Sequence, residues 1–186
     1  MAALTLAPEN WSCGERAGWL FISILVAAFC QAGFGPAKKV MLSTGGVGIV
    51  GFETIGSWSR ADPVLEKWWT SGRGWRAARW SLVVDVPFLV AYGFGLWVLA
   101  AVVADHARDL GWTGWATAAA ATGVGFLAAA AFDLLEDVAL LVVLYRKRSV
   151  NWPGIARLFA FAKFGLLVVG GLFLATVGIA FLGPHT

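Results

Sequence analysis

The chain has 186 residues, of which 59% are hydrophobic and only 13% are charged, and its formal net charge is +3. A water-soluble domain carries about 25% charged residues, so this composition excludes an ordinary soluble protein and indicates an integral membrane protein. The length predicts one transmembrane domain over residues 1–186.

Four apolar stretches are long enough to cross a bilayer, which takes about 20 residues of helix. They cover approximately residues 17–42, 82–104, 115–144 and 158–182. Together they predict an all-α fold, an integral membrane bundle of four helices. The first stretch lacks a basic segment before its apolar run, so we expect it to be an anchor that is not cleaved.

The long connection over residues 43–81 contains a further predicted helix. Asp62 followed by Pro63 is typical of an N-cap and a first helical turn, so we expect a short helix over about residues 63–70. Its pair of tryptophans and the basic residues around it favour a helix that lies in the membrane interface. The glycines upstream have neither P-loop nor dinucleotide-binding spacing, which favours a flexible re-entrant or surface loop over a phosphate-binding loop.

Basic residues are distributed unevenly between the two sides of the predicted bundle. Eleven of the fourteen Lys and Arg residues lie in or beside the 43–81 and 145–157 connections, whereas Arg16 and Arg108 are on the other side. Cytoplasmic loops carry such an excess. The pattern predicts a multi-pass protein of the bacterial inner membrane, with both termini outside the cytoplasm. Because topology and anionic lipid head groups explain the basic loops, we expect no nucleic-acid partner.

Ionisable residues inside the predicted spans are the candidate site, because a charge at the bilayer centre costs at least about 2.5 kcal/mol. Spacings of three and four residues place Asp133, Glu136 and Asp137 on one face of the third span. A spacing of seven places Asp85 and Tyr92 on one face of the second span. With the lysine of the fourth span, the candidate binding residues are Asp85, Tyr92, Asp133, Glu136, Asp137 and Lys163.

Depth in the bilayer predicts a contact within this set. Lys163 lies six residues from Arg157 and Glu136 lies ten from Arg146. At a rise of 1.5 Å per residue, both side chains belong to the cytoplasmic half of the membrane. Because the third and fourth spans are antiparallel and joined by a short loop, we expect Lys163 to reach Glu136 or Asp137. Four carboxylates facing one lysine cannot all stay ionised unless water or another cation reaches them.

Several sequence pieces occur together along the chain: Gly45-Gly46 through Phe52-Glu53, Leu65 and Trp68, Asp85 with Tyr92, Phe132 to Asp137 with Leu140-Leu141, and Ala162-Lys163-Phe164. This set resembles a family of uncharacterised bacterial four-span membrane proteins. The family pattern is a Gly-Gly…Glu loop, an Asp…Tyr helix, an Asp-x-x-Glu-Asn helix and a Lys-Phe helix.

The resemblance covers about residues 20–175 and implies a four-span architecture with a site at the matched residues. It adds Glu53 of the long loop as a candidate contributor. Where the family pattern has asparagine, this chain has Asp137, which adds a carboxylate and removes any role that needs a neutral amide. The resemblance names no reaction.

The preferred hypothesis is a non-catalytic inner-membrane protein. Its site would bind a lipid head group, an ion or a proton, or the chain would be an accessory subunit of a membrane complex. The expected partners are membrane lipids, and either other membrane-protein subunits or further copies of the chain. A structural hypothesis is that the polar residues only hold helices together.

The alternative function is a membrane enzyme that acts on a lipid through its clustered carboxylates. Such groups could hold Mg²⁺ or act as a general acid or base. The predicted site contains no histidine and no recognised nucleophile–base pair. We therefore assign no catalytic residue, no metal ligand and no particular cofactor.

Overall fold

The computed structural model describes residue 8 and residues 11–182. All the regular structure in this part of the chain is helical, which confirms the predicted all-α fold. The helices are α1 (Cys13–Gly45), α2 (Ile49–Glu53), α3 (Trp58–Ser71), α4 (Arg73–Asp109), α5 (Thr113–Leu144) and α6 (Trp152–Leu182).

Three of the described helices, α1, α4 and α6, are long and apolar enough to cross a membrane. Large apolar side chains project outward from them, among them Phe29 of α1, Val90 of α4 and Ile179 of α6. Such a surface is stable in lipid and not in water. The protein is therefore a membrane-spanning helical protein.

The four long helices pack in the order α1, α4, α5, α6. Small residues allow α4 to approach both of its neighbours closely. A Cβ atom on Gly95 would lie 2.9 Å from Cβ of Ser23 in α1, and one on Gly93 would lie 2.6 Å from Cβ of Ala130 in α5. Both distances are too short for a side chain, so glycine at these positions is what permits the packing.

The helix predicted within the long connection is present as α3, but its predicted start is wrong. The N-cap is Ser57 and not Asp62, which lies inside the helix together with Pro63. The earlier start has a tertiary cause, because the indole N–H of Trp58 donates to the carbonyl of Val150 at 3.0 Å. That contact holds the first turn of α3 against the connection between α5 and α6.

The apolar face of α3 packs on the ends of α1 and α4. Leu65 and Trp68 are completely buried. The Trp68 indole lies in a slot between two glycines: a Cβ on Gly45 would lie 2.2 Å from its Nε1, and one on Gly74 would lie 2.5 Å from its Cδ1. The same indole N–H donates to the carbonyl of Met41 at 3.2 Å. A tryptophan expected to dock in lipid is thus part of the protein core.

Two ion pairs join α3 to the α5–α6 connection. Arg146 lies 2.9 Å from Glu66, and Arg148 lies 2.7 Å from Asp62. These contacts place α3 beside the ends of α1 and α5 and the beginnings of α4 and α6. We call this end of the molecule the α3 end, and the opposite end, where α4 turns into α5, the Asp105 end.

Candidate functional site

The ammonium group of Lys163 is the centre of a buried polar cluster near the α3 end. It donates to Asp133 Oδ1, lies 2.7 Å from Glu136 Oε2 and lies 3.8 Å from Glu53 Oε2. The predicted contact between Lys163 and Glu136 is confirmed. We use the name Lys163 cluster for the lysine and the residues around it, which are Glu53, Asp85, Tyr92, Asp133, Glu136, Asp137 and Lys163.

Asp133 links three of the long helices. One of its carboxylate oxygens accepts from Lys163 of α6, and the other accepts from the Tyr92 hydroxyl of α4 at 2.8 Å. Its residue surface is only 4% exposed. Hydrogen bonds to a buried carboxylate are strong because they replace its lost hydration. Asp133 is therefore the best-satisfied acid of the cluster.

Two further carboxyl groups face each other across α4 and α5. Asp85 lies within hydrogen-bonding reach of Asp137. Asp137 is buried, and its Oδ2 has no hydrogen-bond donor. Two ionised carboxylates at such a distance repel each other, so the pair needs a shared proton or an external cation. Of the two partners predicted for Lys163, Glu136 makes the contact, and Asp137 lies beside Asp85.

Glu53 enters the cluster from the loop, through the short helix α2. Its side chain is 8% exposed, and its Oε2 has no hydrogen-bond donor. It also lies within hydrogen-bonding reach of the Glu136 carboxyl. Burial raises the pKa of Glu53 above its ordinary value, and the positive charge of Lys163 acts in the opposite direction. The position of α2 is maintained by Phe52, whose ring centroid is 4.8 Å from that of Trp68.

The cluster forms one wall of a cavity of about 660 Å³ among α1, α2, α4 and α6. Part of the cluster faces this space, namely Glu53, Asp85, Tyr92, Asp133 and Lys163. Glu136 and Asp137 lie behind that surface. The remaining walls are mainly apolar and include Phe34, Leu82, Phe88, Phe164 and Leu167. The cavity therefore combines mainly apolar walls with a few ionisable groups, as ligand sites commonly do.

Four residues of α1 line the cavity and were not predicted as part of the site: Gln31, Phe34, Lys38 and Met41. Gln31, Phe34 and Lys38 follow one another at spacings of three and four residues. Such spacings put them on one helix face. The face could have been recognised in the sequence, but its orientation toward the cluster depends on how α1 packs on α4. Lys38 is exposed, so it brings a positive charge to the rim of the cavity.

The site is chemically suited to accept hydrogen bonds or positive charge. Within the described residues, four buried carboxylate oxygens have no hydrogen-bond donor: Glu53 Oε2, both oxygens of Glu136 and Asp137 Oδ2. Of these four, Glu136 Oε2 lies 2.7 Å from the Lys163 ammonium. Within the described part of the chain, no three acidic, histidine or cysteine side chains are arranged to hold a metal ion.

Comparisons of the chain with protein-family models, with curated proteins and with solved structures find no match. The resemblance to a four-span bacterial family therefore remains a prediction. The chemistry of the site has to be inferred from its own atoms, its charges and the shape of the space around it.

Proposed function

We propose that the chain is a non-catalytic four-span protein of the bacterial inner membrane that binds a membrane lipid in its cavity. The head group would lie at the Lys163 cluster and the acyl chains along the apolar walls. One observation carries this proposal: a single cavity of about 660 Å³ combines apolar walls with a buried ionisable cluster. Soluble ions or protons would use the charges but would leave the apolar walls without a role.

The fourth span of this proposal is α5. It has 32 residues, and it packs between α4 and α6, each of which is long and apolar enough to cross a membrane. At 1.5 Å per residue a helix of this length exceeds the thickness of the hydrocarbon core. Its three carboxylates are buried inside the bundle and do not face lipid. These properties support a helix that crosses the bilayer with its neighbours.

The proposed orientation follows from charge. The α3 end carries eleven of the fourteen Lys and Arg residues, so it would lie in the cytoplasm with both termini outside. α3 would lie at the interface, where Arg60, Lys67 and the exposed Trp69 could meet head groups while the opposite face of the helix packs on the bundle. We therefore expect a reporter that is active only outside the cytoplasm to be active when it is fused after Thr186 and inactive when it is fused after Gly72.

The structural alternative is that the cluster only joins helices. In a purely structural cluster, however, carboxyl groups that line a cavity without a close cation would not stabilise the contact between the helices. Breaking a buried ion pair costs about 3–5 kcal/mol because the remaining charge has no partner. Glu53 and Asp85 present carboxyl groups to the cavity, and the Lys163 ammonium lies as far as 3.8 Å from Glu53. A ligand in the cavity can donate to these carboxyl groups, which supports a binding site.

The experiment is native mass spectrometry of the protein purified in mild detergent. We expect one retained phospholipid in the parent protein and loss of that lipid in Leu167→Trp, which fills the cavity from α6. The matched control is Leu172→Trp, on the same helix but with its side chain directed outward. Equal lipid retention in all three proteins would contradict the proposal. Retention of a partner protein with no lipid would instead favour an accessory subunit.

A further inference from the structure

The charges of the Lys163 cluster indicate which lipid fits it, if the proposed lipid binding is correct. The cluster contains five carboxyl groups and one ammonium group. An anionic head group would add negative charge to a wall that already has an excess of acids. A cationic group would reduce that excess, and burial strengthens the attraction because the dielectric constant is low.

The carboxyl groups that face the cavity can accept hydrogen bonds as well as positive charge. Glu53 and Asp85 both line the cavity, on α2 and α4. The 3.8 Å between Glu53 Oε2 and the Lys163 ammonium is too long for a hydrogen bond. Glu136 and Asp137 lie behind this surface, so a ligand in the cavity would meet Glu53 and Asp85 first. A ligand with several N–H groups can donate to both of these carboxyl groups.

The rim of the cavity also carries a positive charge, in addition to the acids of the cluster. Lys38 lines the cavity from α1 and is exposed, whereas the acids are on α2, α4 and α5. A head group that contains both a phosphate and an ammonium would meet a complementary charge at each position. The apolar walls, which include Phe34, Phe88 and Leu167, would cover the first part of the acyl chains.

We propose that the occupant of the cavity is a phospholipid whose head group ends in a primary ammonium. The ammonium donates to Glu53 and Asp85, and the phosphate pairs with Lys38. A quaternary ammonium has the same charge but no N–H, so it fits less well. An anionic head group lacks the cation and is repelled.

The test measures binding of three phospholipids with identical chains to the delipidated full-length protein, by native mass spectrometry. The probes are phosphatidylethanolamine, phosphatidylcholine and phosphatidylglycerol. We expect phosphatidylethanolamine to bind at least about tenfold more tightly than either of the others, as one charge-assisted hydrogen bond predicts. Soluble glycerophosphoethanolamine should not displace it at equal concentration. Displacement would identify a soluble amine as the ligand and overturn the lipid assignment.

A matched pair of variants tests the residues. Glu53→Gln should weaken phosphatidylethanolamine binding at least about tenfold and phosphatidylcholine binding by a smaller factor, because the quaternary ammonium loses only the attraction of the charge. Thermal unfolding in mild detergent shows whether the variant is folded. Glu66→Gln makes the same chemical change on the exposed surface of α3 and should change neither. Unchanged phosphatidylethanolamine binding in Glu53→Gln would overturn the role of this carboxylate.

The outcomes separate this inference from the proposed function. If phosphatidylglycerol binds as tightly as phosphatidylethanolamine, and Leu167→Trp abolishes both, the cavity binds lipid but the ammonium assignment is wrong. If Leu167→Trp changes the binding of none of the three lipids, the cavity is not a lipid site and both proposals fail.

Discussion

The molecule contains two charged clusters at its opposite ends, and they differ in the ratio of acidic to basic groups. At the Asp105 end, the Asp105 carboxylate accepts from Arg16 at one oxygen and from Arg108 at the other. Near the α3 end, one lysine serves several acids, and some carboxylate oxygens have no donor. The first cluster is complete within the protein, and the second is not.

The two clusters also differ in the solvent exposure of their side chains. The side chains of Asp105 and Arg108 are 29% and 50% exposed, whereas those of Lys163 and Asp133 are 7% and 5% exposed. Water can satisfy whatever the exposed cluster lacks, so an imbalance there has little energetic effect. In a buried cluster the same imbalance persists until a proton or a ligand removes it. Charge balance and solvent exposure together, and not the presence of charge, distinguish a structural ion pair from a candidate binding site.

Lys163→Met should lower the free energy of unfolding more than the other substitutions, and it tests the buried cluster. It leaves Asp133 and Glu136 without their cation, so we expect a loss of about 3–5 kcal/mol in the free energy of unfolding. Thermal unfolding in mild detergent measures it. Adding Asp133→Asn should recover part of the stability, because it removes one of the two carboxylates left without a cation. A Lys163→Met protein as stable as the parent would mean that the cluster is not energetically coupled.

Tyr92→Phe should have an intermediate effect, because it removes one donor from Asp133 and leaves the lysine in place. A hydrogen bond to a charged group is worth about 1.5–3 kcal/mol. The other tyrosine of the chain, Tyr145, is exposed, and Tyr145→Phe should be neutral. The same unfolding assay gives both values. Equal effects of the two substitutions would show that the Tyr92 hydroxyl does not stabilise the cluster.

Asp105→Asn should have the smallest effect, although it removes the carboxylate from two ion pairs at once. Partly exposed pairs contribute about 0–1 kcal/mol each and are screened by salt. We expect a loss of about 1 kcal/mol at low ionic strength that nearly disappears at about 1 M salt. The effect of Lys163→Met should persist in salt. An Asp105→Asn loss that equals the Lys163→Met loss, or that resists salt, would remove the distinction between the clusters.

The sequence predicted those features of the site that depend only on local helix geometry. Helix periodicity put Glu136 on the polar face of α5, and the rise per residue put Lys163 at a matching depth, so this contact could be predicted before the structure. The contact of Lys163 with Asp133 was not predicted. The same rule left open whether Glu136 or Asp137 would meet Lys163, because it specifies a face of α5 but not which neighbour that face meets. The structure turns Asp137 toward Asp85 of α4.

Packing between residues that are far apart in the sequence decided the features that the sequence did not predict. A sequence can show that Trp68 belongs to an amphipathic helix, but a core slot and a lipid interface are equally apolar, and only the glycines of α1 and α4 select the slot. Likewise, Glu53 is far along the chain from Lys163 and reaches it only because α2 packs near α6. By itself, the sequence determined a helical membrane protein with ionisable residues at related depths, because hydrophobicity and periodicity are local. Tertiary structure alone decided that these residues surround one cavity, since that depends on contacts between distant helices.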